Sequence, residues 1–308
     1  MFDDLPVLLS GFAAAIAVGT VGYLRQALSA DGAVLAVLVG TVVVVAGGWW
    51  WGVLLVAFFA SSSALSRLGG GRDRPEERIA RRGSRRDAVQ VVANGGVATG
   101  LALIAGWSEA PVLFLAYAGA VATVTSDTWA TEIGARSRRP PRSILSGREA
   151  PPGTSGAITL IGTLGAAAGA LLIAGLAAMG AGAGWADSGL STSAVLLGVA
   201  LAGLVGSLMD SLLGATLQAS YRCPVCDLAT EHLIHDCGAA TTLVRGIAAI
   251  DNDVVNALAS MIGAGIGAAA AWIAPAGLSL VMVPAFALIA VRGVLTPGSD
   301  RGRGSRSR

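Results

Sequence analysis

Three groups of side chains capable of chemistry stand out in a chain that is otherwise almost entirely aliphatic. The first is a set of carboxylates and carboxamides: Asp127 and Glu132 in SDTWATEIG, Asp210 in GSLMDSLLGATLQ, Asp253 with Asn252 and Asn256 in IDNDVVN, and Asn94 in QVVANGG. Each lies in or beside an apolar run, where an ionisable group is costly and marks a functional site by default. Carboxylates gathered from several helices repel one another. A divalent cation relieves that repulsion. Hard carboxylate and amide oxygens suit Mg²⁺, which completes its shell with water and substrate phosphates. The competing interpretation makes each residue a helix-end cap, and it requires no common depth. All of them fall at the same end of their apolar runs, which favours one shared site.

The second group is the loop GREAPPGTSGAITL, Gly147 to Leu160. Pro151, Pro152 and Gly153 close it, and Thr154 or Ser155 is placed to cap the next helix. Free N–H groups at such a helix start attract an anion. Arg136, Arg138, Arg139, Arg142 and Arg148 lie just upstream. Phosphate binding and an ordinary capped loop both fit this segment. The third group is YRCPVCDLATEHLIHDCG, which holds all three cysteines and both histidines. Cys223-Pro-Val-Cys226 has the spacing of half a zinc knuckle. Cys237 with His235 or His232 completes a Cys₃His set, and four protein ligands make a zinc site structural. Thiols facing the cytoplasm stay reduced, so metal outranks a disulfide; metal-free thiols are the alternative.

The elements that must position these groups are membrane spans. The chain has 308 residues, 54% hydrophobic and only 13% charged, with mean hydropathy +0.70. A soluble domain is about a quarter charged, so disordered, disulfide-scaffold and soluble-enzyme classes are excluded. A crossing helix needs about 20 apolar residues. Nine runs qualify, near 5–24, 31–47, 49–66, 88–107, 111–133, 156–180, 192–217, 254–273 and 277–294. All 21 basic residues are Arg, and nine spans put every one of them on one side. Asp3, Asp4, Glu109 and Asp187 fall on the other. The positive-inside rule then sets the N-terminus outside and the C-terminus inside.

The expected architecture is therefore an all-α polytopic bundle in the cell membrane. It is a single domain over 1–296, with cytoplasmic loops 67–87, 134–155 and 218–250 and a disordered basic tail over 297–308. The acidic start, Met-Phe-Asp-Asp, argues against a cleavable signal peptide. Trp49 to Trp51 suit a membrane interface. Most charges between Arg67 and Arg86 read as a solvated amphipathic segment. Pairs such as Gly165/Gly169 and Gly263/Gly267 let helices pack closely in lipid.

The runs RRDAVQVVANGG, SDTWATEIG, PPGTSGAITLIGT, DSLLGATLQ and GIAAIDNDVVNALAS, in that order and spacing, resemble one membrane protein family. It is the family of the chloroplast phytyl-phosphate kinase and transmembrane protein 19, and the Cys/His loop resembles its prokaryotic branch. The chain is more distantly similar to the phytol, farnesol and dolichol kinases and other CTP-using membrane enzymes. The resemblance spans the second to the eighth run. It implies Mg²⁺-dependent phosphoryl transfer from a nucleoside triphosphate, CTP preferred, to an isoprenyl monophosphate at the cytoplasmic face.

On that reading Asp127, Asp210 and Asp253 hold Mg²⁺, with Glu132 as a fourth oxygen or an orienting partner. Asn94, Asn252 and Asn256 contact metal or nucleotide. Gly153, Thr154 and Ser155 cradle phosphate, helped by Arg86, Arg142 or Arg148. Zinc on Cys223, Cys226, His235 and Cys237 is structural. The partners are the nucleotide, the isoprenyl lipid and membrane lipids, with no nucleic acid. A cytidylyltransferase, an isoprenoid alcohol kinase and a transporter stay open as alternatives.

Overall fold

A computed structural model describes residues 4–68, 85–108 and 110–273. Among these the chain forms eight α-helices: α1 (Leu5–Leu24), α2 (Ala30–Gly47), α3 (Trp49–Leu68), α4 (Ala88–Ser108), α5 (Val112–Gly134), α6 (Leu160–Gly182), α7 (Thr192–Thr216) and α8 (Asn252–Ile273). Seven of them are long and apolar enough to cross a membrane; α5 is the exception. The expected ninth span, 277–294, lies outside the described residues, as do Arg72, Arg74, Arg78, Arg81 and Arg82.

Local chemistry sets the helix starts. Asp4, Ser29, Thr159 and Ser191 each cap a helix by accepting a backbone N–H three residues on. Asp87 and Gln90 cap α4 reciprocally: Gln90 N donates to Asp87 Oδ1 at 2.9 Å, and Asp87 N donates to Gln90 Oε1 at 3.2 Å, a capping box. Asp251 Oδ1 accepts from Val254 N at 3.1 Å and so caps α8.

Helix α5 is the axis of the bundle. It packs against α3, α4, α6, α7 and α8, and every residue from Phe114 to Ser126 is buried. Alanine and glycine on the neighbours permit this. A Cβ at Gly263 would strike Thr123, and one at Gly267 would strike the Leu115 carbonyl. Interhelical hydrogen bonds reinforce the packing, as expected where no water competes. Thr123 Oγ1, which donates within α5 to Gly119 O at 2.9 Å, also reaches Ala202 O of α7 at 3.2 Å. Tyr117 Oη donates to Trp51 O at 2.7 Å. Helices α1 and α2 form an outer layer, α2 packing on both α3 and α4.

Of Trp49 to Trp51, expected together at a membrane interface, only Trp49 is exposed. Gly48 (φ +98°) is the whole connector between α2 and α3, so the helix begins at once and turns the other two inward. Trp51 is buried against Phe114 and Tyr117, and Trp50 Nε1 donates to Leu176 O at 2.9 Å.

Two small sheets sit at the end of the bundle where α3, α5 and α7 finish. β1 (Arg142–Ser143) pairs antiparallel with β2 (Ala157–Ile158). β3 (Ser220–Arg222) lies between β4 (Ala229–Thr230) and β5 (Thr242–Arg245), antiparallel to both. The segment 218–250, expected as a loop, is thus an ordered three-stranded module. The sixth span also starts later than expected. Residues 157 and 158 are taken up by β2, so Thr159, not Thr154 or Ser155, caps α6, its Oγ1 accepting from Gly162 N at 3.0 Å.

Candidate functional site

The helix ends at this side enclose a polar cavity of about 760 Å³. Asp127 and Glu132 come to it from the last turns of α5, and Asp210 from the last turns of α7. Asn252 and Asp253 come from the first turn of α8, and Arg86 and Asn94 from the start of α4. Gly153, Thr154 and Ser155 line its rim. Arg142 and Arg148 do not line it. Arg142 is held in the β1 hairpin, donating to Gly147 O at 3.0 Å and pairing with Glu149 at 3.7 Å. Their places in the lining are taken by Arg138 and Arg139. Asn256 stands behind the wall, donating to Asn94 Oδ1 at 3.4 Å.

The carboxyl groups of Asp127 and Asp210 adjoin each other across α5 and α7. Asp210 Oδ2 is buried without a hydrogen-bond partner. An orphaned oxygen of this kind calls for an explanation, an ion among them. The donor set is hard oxygen and therefore fits Mg²⁺, which takes one or two carboxylates and fills its other positions with water and phosphate. Asp253 lines the same cavity. Among the described residues, however, the only set of three or more side chains gathered within one coordination distance is the Cys/His group. The three aspartates share a chamber, with two of them in direct contact.

The remaining wall carries both signs of charge: Glu132, Glu231 and Asp251 line it beside Arg86, Arg138 and Arg139. Helices α4, α6 and α8 all begin at the cavity: Gln90, Thr159, Gly162, Thr163 and Asn252 line it. Helix N-termini carry partial positive charge and free N–H groups. Three of them here face the same space as Arg86, Arg138 and Arg139. Arg86 is anchored from both ends. Its backbone bonds to the α1–α2 turn (Ser29 N to Arg86 O, 3.0 Å; Arg86 N to Ala27 O, 3.0 Å). Its guanidinium donates to Ser63 Oγ at 3.0 Å and lies 5.9 Å from the centres of the Phe58 and Phe59 rings. Glu132 is positioned by Ser66, whose Oγ donates to it at 2.6 Å.

The rim loop is shaped by two glycines in the left-handed region, Gly153 (φ +80°) and Gly156 (φ +78°). Gly156 also presses on α7, where a Cβ would collide with Ala215 and the Ser211 carbonyl. Glu231 ties this loop to the three-stranded module: its Oε1 accepts from Ser155 Oγ at 3.1 Å and from Gln218 Nε2 at 2.6 Å. Sequence reasoning missed Glu231. Its only signal was an acidic residue inside the Cys/His segment.

In that module the ligand atoms of Cys223, Cys226, His235 and Cys237 lie within 4.8 Å of one another. Cys223 Sγ is 3.6 Å from Cys237 Sγ, and His235 Nδ1 is 3.2 Å from Cys237 Sγ. Ligands 2.3 Å from a tetrahedral ion stand about 3.7 Å apart, so the set fits zinc. Asp227 (φ +55°) and Gly238 (φ +83°) turn the backbone after each ligand pair. Cys226 N donates to Cys223 Sγ at 3.4 Å, which holds that thiol below its ordinary value. Hydrogen bonding to Cys237 pushes the Cys226 thiol up to about 11.

Fold and cavity together define a polytopic helical membrane protein with a polar chamber at one end of the bundle. Residues 13–264 match the family described as Integral membrane protein DUF92. The chain belongs to that family. It is 32% identical over 254 residues to Protein PGR of Arabidopsis thaliana, covering 76% of this chain and 85% of the relative. It is 37% identical over 135 residues to an uncharacterized membrane protein of Methanocaldococcus jannaschii, covering 43% of this chain and 52% of the relative. No solved structure matches.

Proposed function

We propose that this protein transfers a phosphoryl group from a nucleoside triphosphate, CTP preferred, to an isoprenyl monophosphate, giving the diphosphate. The observation that carries the reading is one chamber that joins an adjacent pair of carboxylates to three helix N-termini and arginines. Such zoning suits a polyphosphate with its metal. The sequence resemblance supplies the nucleotide and the lipid. In phosphoryl transfer the protein mainly positions the reactants and neutralises charge. Asp127 and Asp210 would hold Mg²⁺, which when bound neutralises charge on the transferring group. Asp253 and Glu132 orient the surrounding water and phosphates. Thr154, Ser155 and the start of α6 receive the nucleotide phosphates, and Arg86 the acceptor phosphate. The acceptor is already an oxyanion, so no general base is required. We further propose that the Cys₃His set binds structural zinc.

Every arginine among the described residues lies at the chamber end, which supports a cytoplasmic chamber and a place in the cell membrane. The test is purified protein with labelled CTP, Mg²⁺ and a panel of prenyl alcohols and prenyl phosphates, read by mass spectrometry. Isoprenyl diphosphate with CDP is the expected product. Pyrophosphate with a CDP-lipid would replace the kinase by a cytidylyltransferase, and monophosphate formed only from prenyl alcohols would redefine the acceptor.

A further inference from the structure

A second cavity, of about 470 Å³, lies between α1, α2, α3 and α4 and is almost wholly apolar. Small and β-branched residues such as Ala14, Ala36, Val39 and Val53 line it together with larger apolar ones such as Phe58 and Phe59. Its polar exceptions are three residues, Arg86, Gln90 and Asn94. These same three line the polar chamber. Gln90 and Asn94 lie four apart on one face of α4, and Arg86, just before the helix, completes with them a polar ridge shared by both cavities. On one side of the ridge is the polar chamber, and on the other the apolar slot.

We propose that the slot holds the hydrocarbon chain of a phosphorylated lipid whose headgroup crosses the Arg86–Gln90–Asn94 ridge into the chamber. A wholly apolar occupant would leave the ridge unused, and a wholly polar one would leave the slot unused. An anionic amphiphile uses both, with Arg86 opposite the phosphate charge. The inference deepens the phosphoryl-transfer reading and rests on it for the identity of the headgroup.

Two measurements on full-length protein test this. The first is crosslinking with a prenyl phosphate carrying a diazirine near the far end of its chain. The label is expected on α1, α2 and α3 around Ala14, Val39 and Val53, and is expected to be competed by unmodified prenyl phosphate. The second is the ratio of kcat/KM for a long-chain over a five-carbon prenyl phosphate. Ala14→Phe and Ala36→Phe, which fill the slot, are expected to lower that ratio at least tenfold. Ala17→Phe, on the exposed side of α1, is expected to keep the wild-type ratio.

Competable label in the slot without CTP-dependent transfer supports the slot and removes the reaction. Transfer with label scattered over lipid-facing residues, or with an unchanged ratio in both filled variants, overturns the slot and leaves the reaction standing.

Discussion

Replacing Asp210 by Asn should move stability and activity in opposite directions. The substitution keeps side-chain shape and removes one of two adjoining carboxyl groups. Unit charges about 4 Å apart interact by about 4 kcal/mol at an effective dielectric of 20, an upper bound for the relief in metal-free protein. About one kcal/mol of that relief would raise the melting midpoint by a few degrees in a domain of this size. With metal the balance reverses. Ligand at a hundred times its dissociation constant stabilises wild type by about 2.7 kcal/mol, and the variant should lose most of this. Loss of metal-centred stabilisation at the transition state costs several kcal/mol, a thousandfold or more in rate, at about 1.4 kcal/mol per factor of ten. The assay is thermal unfolding in detergent at pH 8, with and without Mg²⁺ and CTP, beside turnover of CTP with prenyl phosphate. If Asp210→Asn retains more than about a tenth of the rate and the wild-type Mg²⁺ response, the metal-site reasoning is wrong.

Elemental analysis of protein purified without chelator should find one zinc per chain, and cobalt substitution should give the visible bands of a tetrahedral thiolate site; their absence in folded protein sinks the Cys₃His assignment. Glu231→Ala removes the acceptor shared by Ser155 and Gln218. Loss of one charge-assisted bond of about 1.5–3 kcal/mol should raise KM for CTP tenfold or more with a smaller change in kcat, and equal losses in both would refute a positioning role. A cysteine at position 137 should react with impermeant reagent only in inverted vesicles, and one at the exposed position 187 only in intact cells, each above the wild-type background; the reverse overturns the orientation.

Apolar runs made the helices legible: length and composition mark seven of the eight described ones as candidate spans, and α5 was read from a more dilute apolar run over 111–133. The common end of Asp127, Asp210 and Asp253 was legible too: helical position fixes depth. What lay beyond the sequence depends on how loops fold. Ala157 and Ile158 extend the apolar run of α6, yet pair with β1, which moves the cap to Thr159. Arg142 and Arg148 could not be told from Arg138 and Arg139 without the hairpin that turns them. Glu231 reaches Ser155 across 76 positions of chain, and no local pattern announces such a contact. The spacing in C-P-V-C and H-D-C-G, by contrast, set the Cys/His group directly.

Helix α5 carries a consequence for how the chain is made. Alone among the eight described helices, it is not apolar enough to cross by its own composition, because Asp127, Glu132 and a series of hydroxyl residues dilute it. It is also the helix with protein around most of its surface. A segment of that kind gains its full stabilisation only when partners close around it. Three of those partners, α6, α7 and α8, are synthesised after it. The burial of α5 is therefore completed only once the C-terminal helices have been made, and a chain cut short before α8 lacks one wall of its own core.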